Sequence, residues 1–196
     1  SLGWYKLDAD GNPTDPQMIW TNTDDDELSE GTSVTLDGLA PGEQYGFFIV
    51  KDGADEHPWL DDQSTSNLTP RFGEDGGLEF VNPGGQVKEE IETDDLFFTD
   101  QSLNSDGVNH ALSGTESDEL MIGFEDLTGG GDNDFNDVTF SVKYENEAPS
   151  QSPTSDSFTF TAEDGDGATV ADNDDAGEGY TVTDGAATFD ITIDNG

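Results

Sequence analysis

Cysteine is absent from the 196 residues, so neither a disulfide framework nor a thiolate metal site is available. Cationic residues are nearly absent too: five Lys plus Arg stand against 46 Asp plus Glu, a formal net charge of −41. Phosphate contacts need cations, so no nucleic-acid partner is expected, and direct binding to an anionic membrane surface fails for the same reason. No stretch approaches the length of apolar chain that a membrane-spanning helix needs. Histidine is scarce, and His57 has no partner at ligand spacing, so it reads as structurally incidental. No Ser-His-Asp context and no Gly-x-Ser-x-Gly elbow occurs. With 46 acids some carboxylate pair will always meet glycosidase spacing, so that spacing indicates nothing and no enzyme is expected. The chain opens on Ser1 with neither an initiator Met nor a signal peptide, which reads as a piece of a longer chain.

Such an acidic chain needs something to offset its own repulsion. Two carboxylates about 4 Å apart repel by about 1 kcal/mol in water and about 4 kcal/mol at an effective dielectric near 20. Bound divalent cations would supply the offset; so would a salt-adapted surface of solvated carboxylates. The acids cluster with Gly and Asn instead of lying evenly along element faces, which favours cations.

Apolar residues make up 31% of the chain and gather in short runs: YGFFIV at 45–50, LEFV at 78–81, LFFT at 96–99 and ELMIGF at 119–124. This pattern predicts an all-β fold, a calcium-stabilised β-sandwich with long acidic loops and a C-terminal β extension. The run at 45–50 is apolar on both faces and should be central in a sheet. Trp4, Leu7, Ile19 and Trp20 are core candidates, and Val34 and Leu36 mark an alternating segment. Asp24 to Glu27 reads as a solvated run, and 54–77 as a long surface excursion. Composition changes after Tyr144. Residues 1–145 read as one domain and 146–154, with Pro149 and Pro153, as a linker. Residues 155–196 carry alternating strands at Phe158–Ala162 and Ala187–Ile193. They hold too few apolar side chains for a core, so they should pack on the main domain or on a neighbouring module.

Chemistry is expected at 122–142, IGFEDLTGGGDNDFNDVTFSV. Glu125 and Asp126 precede three glycines, Gly129, Gly130 and Gly131, and then an oxygen-rich run of Asp132, Asn133, Asp134, Asn136 and Asp137. Calcium takes six to eight oxygens at about 2.3–2.6 Å from such groups. Two further turns qualify less clearly. Asp8 and Asp10 begin an EF-hand-like loop, but Pro13 stands where Gly is needed and Ile19 where a bidentate Glu is needed. A simpler calcium loop and a plain solvated turn both remain open there. Asn104, Asp106, Gly107 and Asn109 suit an oxygen-ligand turn, with His110 read as filling a gap in preference to orienting a carboxylate.

The central stretch resembles the calcium-dependent β-sandwich domains of large bacterial surface proteins catalogued as a domain of unknown function (DUF4114). The likeness rests on Gly123-Phe124-Glu125-Asp126, the glycine turn, and Asp132-x-Asp134-Phe135-Asn136-Asp137 before an apolar strand. The LFF strand, Asn104-x-Asp106-Gly107-x-x-His110 and the strand-turn at Phe47 to Gly53 extend it over roughly 1–145. It is similar in particular to the peptide-binding domains of repeats-in-toxin (RTX) adhesins. The resemblance implies an extracellular module on a bacterial cell surface that holds several Ca2+ ions. It would capture peptide or protein C-termini on another cell, next to other modules of the same long chain. On that view Glu125, Asp126, Asp132, Asp134, Asn136, Asp137, Asp106, Asp8 and Asp10 would serve metal, and Gly129 to Gly131, Asp132, Asn133 and Asn104 the ligand. Backbone N–H groups of consecutive glycines can form an anion nest for a terminal carboxylate. A glycan could use an open calcium through vicinal hydroxyls, and a spacer with every ion fully caged would account for the acids as well.

Overall fold

The computed structural model describes residues 1–23, 28–29, 31–40, 43–62, 65–116, 119–146, 180–181 and 187–193. The acidic run at 24–27, residues 147–154 of the linker expected at 146–154 and the strand expected at 158–162 lie outside them, whereas Asn146 is the last residue of a strand. The described chain is all-β, in three antiparallel sheets. In the first sheet β4 (Gln44–Val50) pairs with β1 (Leu2–Leu7), which pairs with β2 (Pro13–Trp20). The other edge of β4 is shared by β8 (Leu96–Phe98) and the short β12 (Tyr180–Thr181). The second sheet runs β3 (Ser33–Leu39), β13 (Ala187–Ile193), β11 (Val138–Asn146), β10 (Glu119–Phe124) and β9 (Ala111–Glu116). The third is a meander of β5 (Thr69–Phe72), β6 (Leu78–Val81) and β7 (Val87–Ile91).

Two cores separate the layers, and β4 contributes to both. Its residues Tyr45, Phe47 and Ile49 join Leu120, Ile122, Phe124, Phe140 and Ile191 between the first and second sheets. Its alternate residues Phe48 and Val50 join Tyr5, Leu78, Phe80, Ile91 and Phe98 beneath the third sheet. Period-two alternation in a strand covered on both sides explains why 45–50 reads as a continuous apolar run. Phe47 meets Phe140 edge-on at 5.1 Å between ring centroids, tying the two large sheets together. Of the amino-terminal core candidates, Leu7 is buried, whereas Trp4, Ile19 and Trp20 are partly buried against the first core.

The β1–β4 pairing contains a reciprocal device. Gly3 lies opposite Phe48, and Gly46 lies opposite Tyr5. A Cβ on either glycine would strike the ring across from it. Each ring therefore lies over the partner strand's bare backbone.

The region 54–77 is more structured than a surface excursion. A short helix α1 (Gly53–Glu56) and a 3-10 turn over Pro58–Asp61 bury Leu60, and β5 follows. In the carboxyl-terminal stretch β13 sits between β3 and β11, with Ile191 fully buried in the first core. These residues complete the second sheet.

Candidate metal centre

The turn between β10 and β11 is closed at its base by backbone bonds. The Glu125 N–H donates to the His110 carbonyl at 2.9 Å, and the Asp137 N–H to the Phe124 carbonyl at 3.1 Å. Inside the turn the chain reverses through left-handed residues, including the non-glycines Asn133 (φ 59°) and Phe135 (φ 54°). The Phe135 carbonyl is thereby laid over Gly123, where a Cβ could not fit.

This path gathers Glu125, Asp132 and Asp134, whose carboxylate oxygens can lie within 4.8 Å of one another. Asp132 and Asp134 are exposed, whereas Glu125 is 1% exposed. Glu125 Oε2 is buried with no hydrogen-bond partner among the described residues. Burial, followed by the charges of Asp137, Asp132 and Asp134, pushes the Glu125 carboxyl above its ordinary range. A buried carboxylate with one oxygen unsatisfied, beside two others, is costly in isolation. A hard cation is the partner that fits all three, since it favours charged oxygens and tolerates mixed exposure.

The remaining acids of the turn do not join this group. Asp126 and Asp137 face a separate cleft of about 280 Å³, whose lining includes Asp52 and Asp55. The Asp137 carboxylate accepts the Asp126 N–H at 2.8 Å. Burial first, then the charge of Asp137, raises the Asp126 carboxyl to about 6. Asp52 and Asp55 lie more than seventy residues away in sequence from Asp126 and Asp137. Asn136 donates its side-chain N–H to Asp134 Oδ2 at 2.9 Å, supporting the cluster from outside.

Three further candidates have internal tasks. Asp106 is expected as a ligand, yet its Oδ1 accepts the Val108 N–H at 3.0 Å and its Oδ2 the Gly129 N–H at 2.8 Å. Oδ2 also lies 3.0 Å from His110 Nε2. Burial opposes ionisation of Asp106 most strongly, but the bonds from Val108, Gly129 and His110 outweigh it and hold the carboxyl at about 2. Asn104 is 5% exposed. Its Oδ1 accepts the Phe98 N–H at 2.7 Å and its amide donates to the Phe98 and Val108 carbonyls, so it clamps β8 to the following loop. Asp8 is tied by Asn12 through backbone and side-chain bonds, with the Asp10 N–H on the same oxygen. These bonds lower its pKa and make a self-contained turn away from the cluster.

His110 is no gap filler. It is fully buried and stacks on Phe97 at 3.9 Å between ring centroids. Nδ1 lies 2.9 Å from the Glu125 carbonyl oxygen, and Nε2 faces Asp106. Both contacts are hydrogen bonds only when both nitrogens carry protons.

The three glycines differ in task. The N–H of Gly129 serves Asp106 and that of Gly130 donates to the Leu127 carbonyl at 2.9 Å. A three-donor nest is therefore reduced to the Gly131 N–H.

The family model described as a domain of unknown function (DUF4114) matches residues 39–145, more than half of the chain. No curated protein and no solved structure matches it.

Proposed function

The chain belongs to the DUF4114 family, and from that premise and the geometry of its acidic turn we propose a calcium-dependent ligand-binding module. It would serve adhesion in a large bacterial surface protein and capture peptide C-termini. The observation that carries the reading is the buried, unpartnered Glu125 oxygen beside Asp132 and Asp134. These three residues would hold the cation. Calcium supplies positive charge and, beyond the oxygens that three carboxylates can offer, coordination positions on which a ligand carboxylate closes. Exposed Asp132 and Asp134 keep the cluster reachable from outside. With the three acids bare, an approaching carboxylate meets repulsion, so ligand affinity switches with the metal.

Calorimetric titration of calcium into metal-stripped protein, followed by short peptides with free and amidated C-termini, tests this. We expect calcium uptake and a preference for the free carboxylate of at least tenfold. Equal binding of amidated peptides would sink carboxylate capture, and binding of diols instead would favour a glycan. One observation favours a second reading, a stiffening spacer: the Gly129 and Gly130 N–H groups are already engaged within the protein. Calcium uptake with no ligand binding at all would support that spacer.

A further inference from the structure

We propose that Asp106 and His110 are a positioning pair: without being ligands themselves, they hold both ends of the glycine turn and thereby set the cation affinity of the Glu125 cluster. The inference rests on the calcium-dependent reading above. One imidazole–carboxylate contact, His110 Nε2 to Asp106 Oδ2 at 3.0 Å, joins two anchors. On one side His110 is bonded to the Glu125 backbone twice, through Nδ1 to the carbonyl at 2.9 Å and through its own carbonyl from the Glu125 N–H at 2.9 Å. On the other side the same Asp106 oxygen accepts the Gly129 N–H at 2.8 Å. Glu125 and Gly129 flank the stretch that brings Gly131 against the Glu125 carboxylate. The pair therefore fixes where that carboxylate stands relative to Asp132 and Asp134.

Two alternatives fit the geometry less well. As a direct ligand, Asp106 would have only the second lone pair of Oδ1 to offer, because Val108 holds the first and Gly129 and His110 hold Oδ2. As mere core filling, a fully buried His110 would be a poor choice beside Phe97, since an apolar ring packs there without polar atoms to satisfy. Supporting groups that orient metal ligands without touching the ion commonly shift affinity 10–100-fold when removed.

The test uses the metal-stripped chain and its His110→Phe, Asp106→Asn and doubly substituted forms. Phe keeps the stacking and deletes both ring bonds. Asn keeps the volume but offers one acceptor oxygen where Asp offers two, so it cannot serve the Val108 and Gly129 N–H groups together. Calcium titration should show each single variant at least tenfold weaker, with the double no weaker than the worse single. Loss in Asp106→Asn with undiminished affinity in His110→Phe would show direct ligation and overturn the pair. Lower melting temperatures with unchanged calcium affinity would reduce it to ordinary packing and also overturn it. Amide exchange at Gly129 in the metal-free protein separates this inference from its parent. If the unsubstituted chain takes up no calcium, the parent reading fails, yet faster Gly129 exchange in both variants still supports the tether and unchanged exchange overturns it. If His110→Phe does not fold, His110→Gln takes its place in both measurements.

Discussion

The Glu125 carboxylate stands where a side chain on Gly131 would be: a Cβ built there would fall on Glu125 Oε1. The absence of a side chain at 131 is thus what admits a buried acid under the turn. Gly129, two residues earlier, has nothing within 4 Å of a built Cβ. The contrast separates glycine needed for a neighbour from glycine needed for backbone alone.

Gly129→Ala and Gly131→Ala should therefore differ. Both backbones are left-handed, at φ 83° and φ 44°, so each substitution costs about 1–2 kcal/mol in stability. Only Gly131→Ala displaces Glu125, and it should weaken calcium uptake at least tenfold, whereas Gly129→Ala leaves it within threefold. Calorimetry on the two variants checks this; equal losses would mean that the glycines act only through the backbone.

Glu125→Gln should raise metal-free stability and abolish the response to calcium. The substitution removes a charge that burial and the surrounding Asp residues disfavour. Neutralising a buried charge that lacks a partner on one oxygen is worth about 1–3 kcal/mol, and each kcal/mol moves the melting temperature by about 2–4 °C at this chain length. The parent chain, in turn, should gain about 1.4 kcal/mol at a calcium concentration ten times its dissociation constant and lose it in EDTA. Melting curves with and without calcium decide, and a Gln variant that melts lower in EDTA would contradict the cluster's role.

Two pKa shifts give metal-free stability a defined shape against pH. Asp126 titrates near 6 when folded against a reference of 3.8, so between about 3.8 and 6 the unfolded chain holds fewer protons. Its contribution therefore falls as pH rises through that window, then levels off. Asp106 titrates near 2 when folded, so its contribution is present above about 3.8 and is lost as pH falls toward 2. Urea unfolding in EDTA at fixed ionic strength should show both limbs. Asp126→Asn should reduce the upper one, to which the raised Glu125 carboxyl also contributes, and an unchanged slope would assign it elsewhere.

Much of this was legible in residues close together in the chain. The run at 45–50 announced a central strand because both its faces are covered. The density of Asp, Asn and Gly at 125–137 marked the acidic turn because a tight reversal and oxygen ligands use those same residues. What comes from distant segments was not legible. The division of the acids depends on Asp52 and Asp55, brought beside Asp126 and Asp137 by the path of the chain after β4. Asp106 and Asn104 have ligand chemistry, and the internal bonds that their oxygens accept were not visible in the sequence. The insertion of β13 between β3 and β11 is likewise a long-range pairing that no local pattern encodes.

Gly46→Ala should destabilise the fold without touching the acidic turn. Its Cβ would strike the Tyr5 ring, which is fully buried and packs edge-on against Phe98 at 5.5 Å and Phe72 at 6.2 Å. The ring cannot retreat without opening the core under the third sheet, and overpacking of this kind costs about 1–3 kcal/mol. Gly3→Ala meets Phe48 in the same way from the opposite strand. The two glycines lie on one strand pair and share the same aromatic layer, so their effects should be coupled and the double variant should depart from additivity. Urea midpoints of the single and double variants measure this, with calcium titration as the control for the remote turn. A loss below about 0.5 kcal/mol in both singles, the range of ordinary surface changes, would mean the rings can swing aside and the reciprocal packing is not needed.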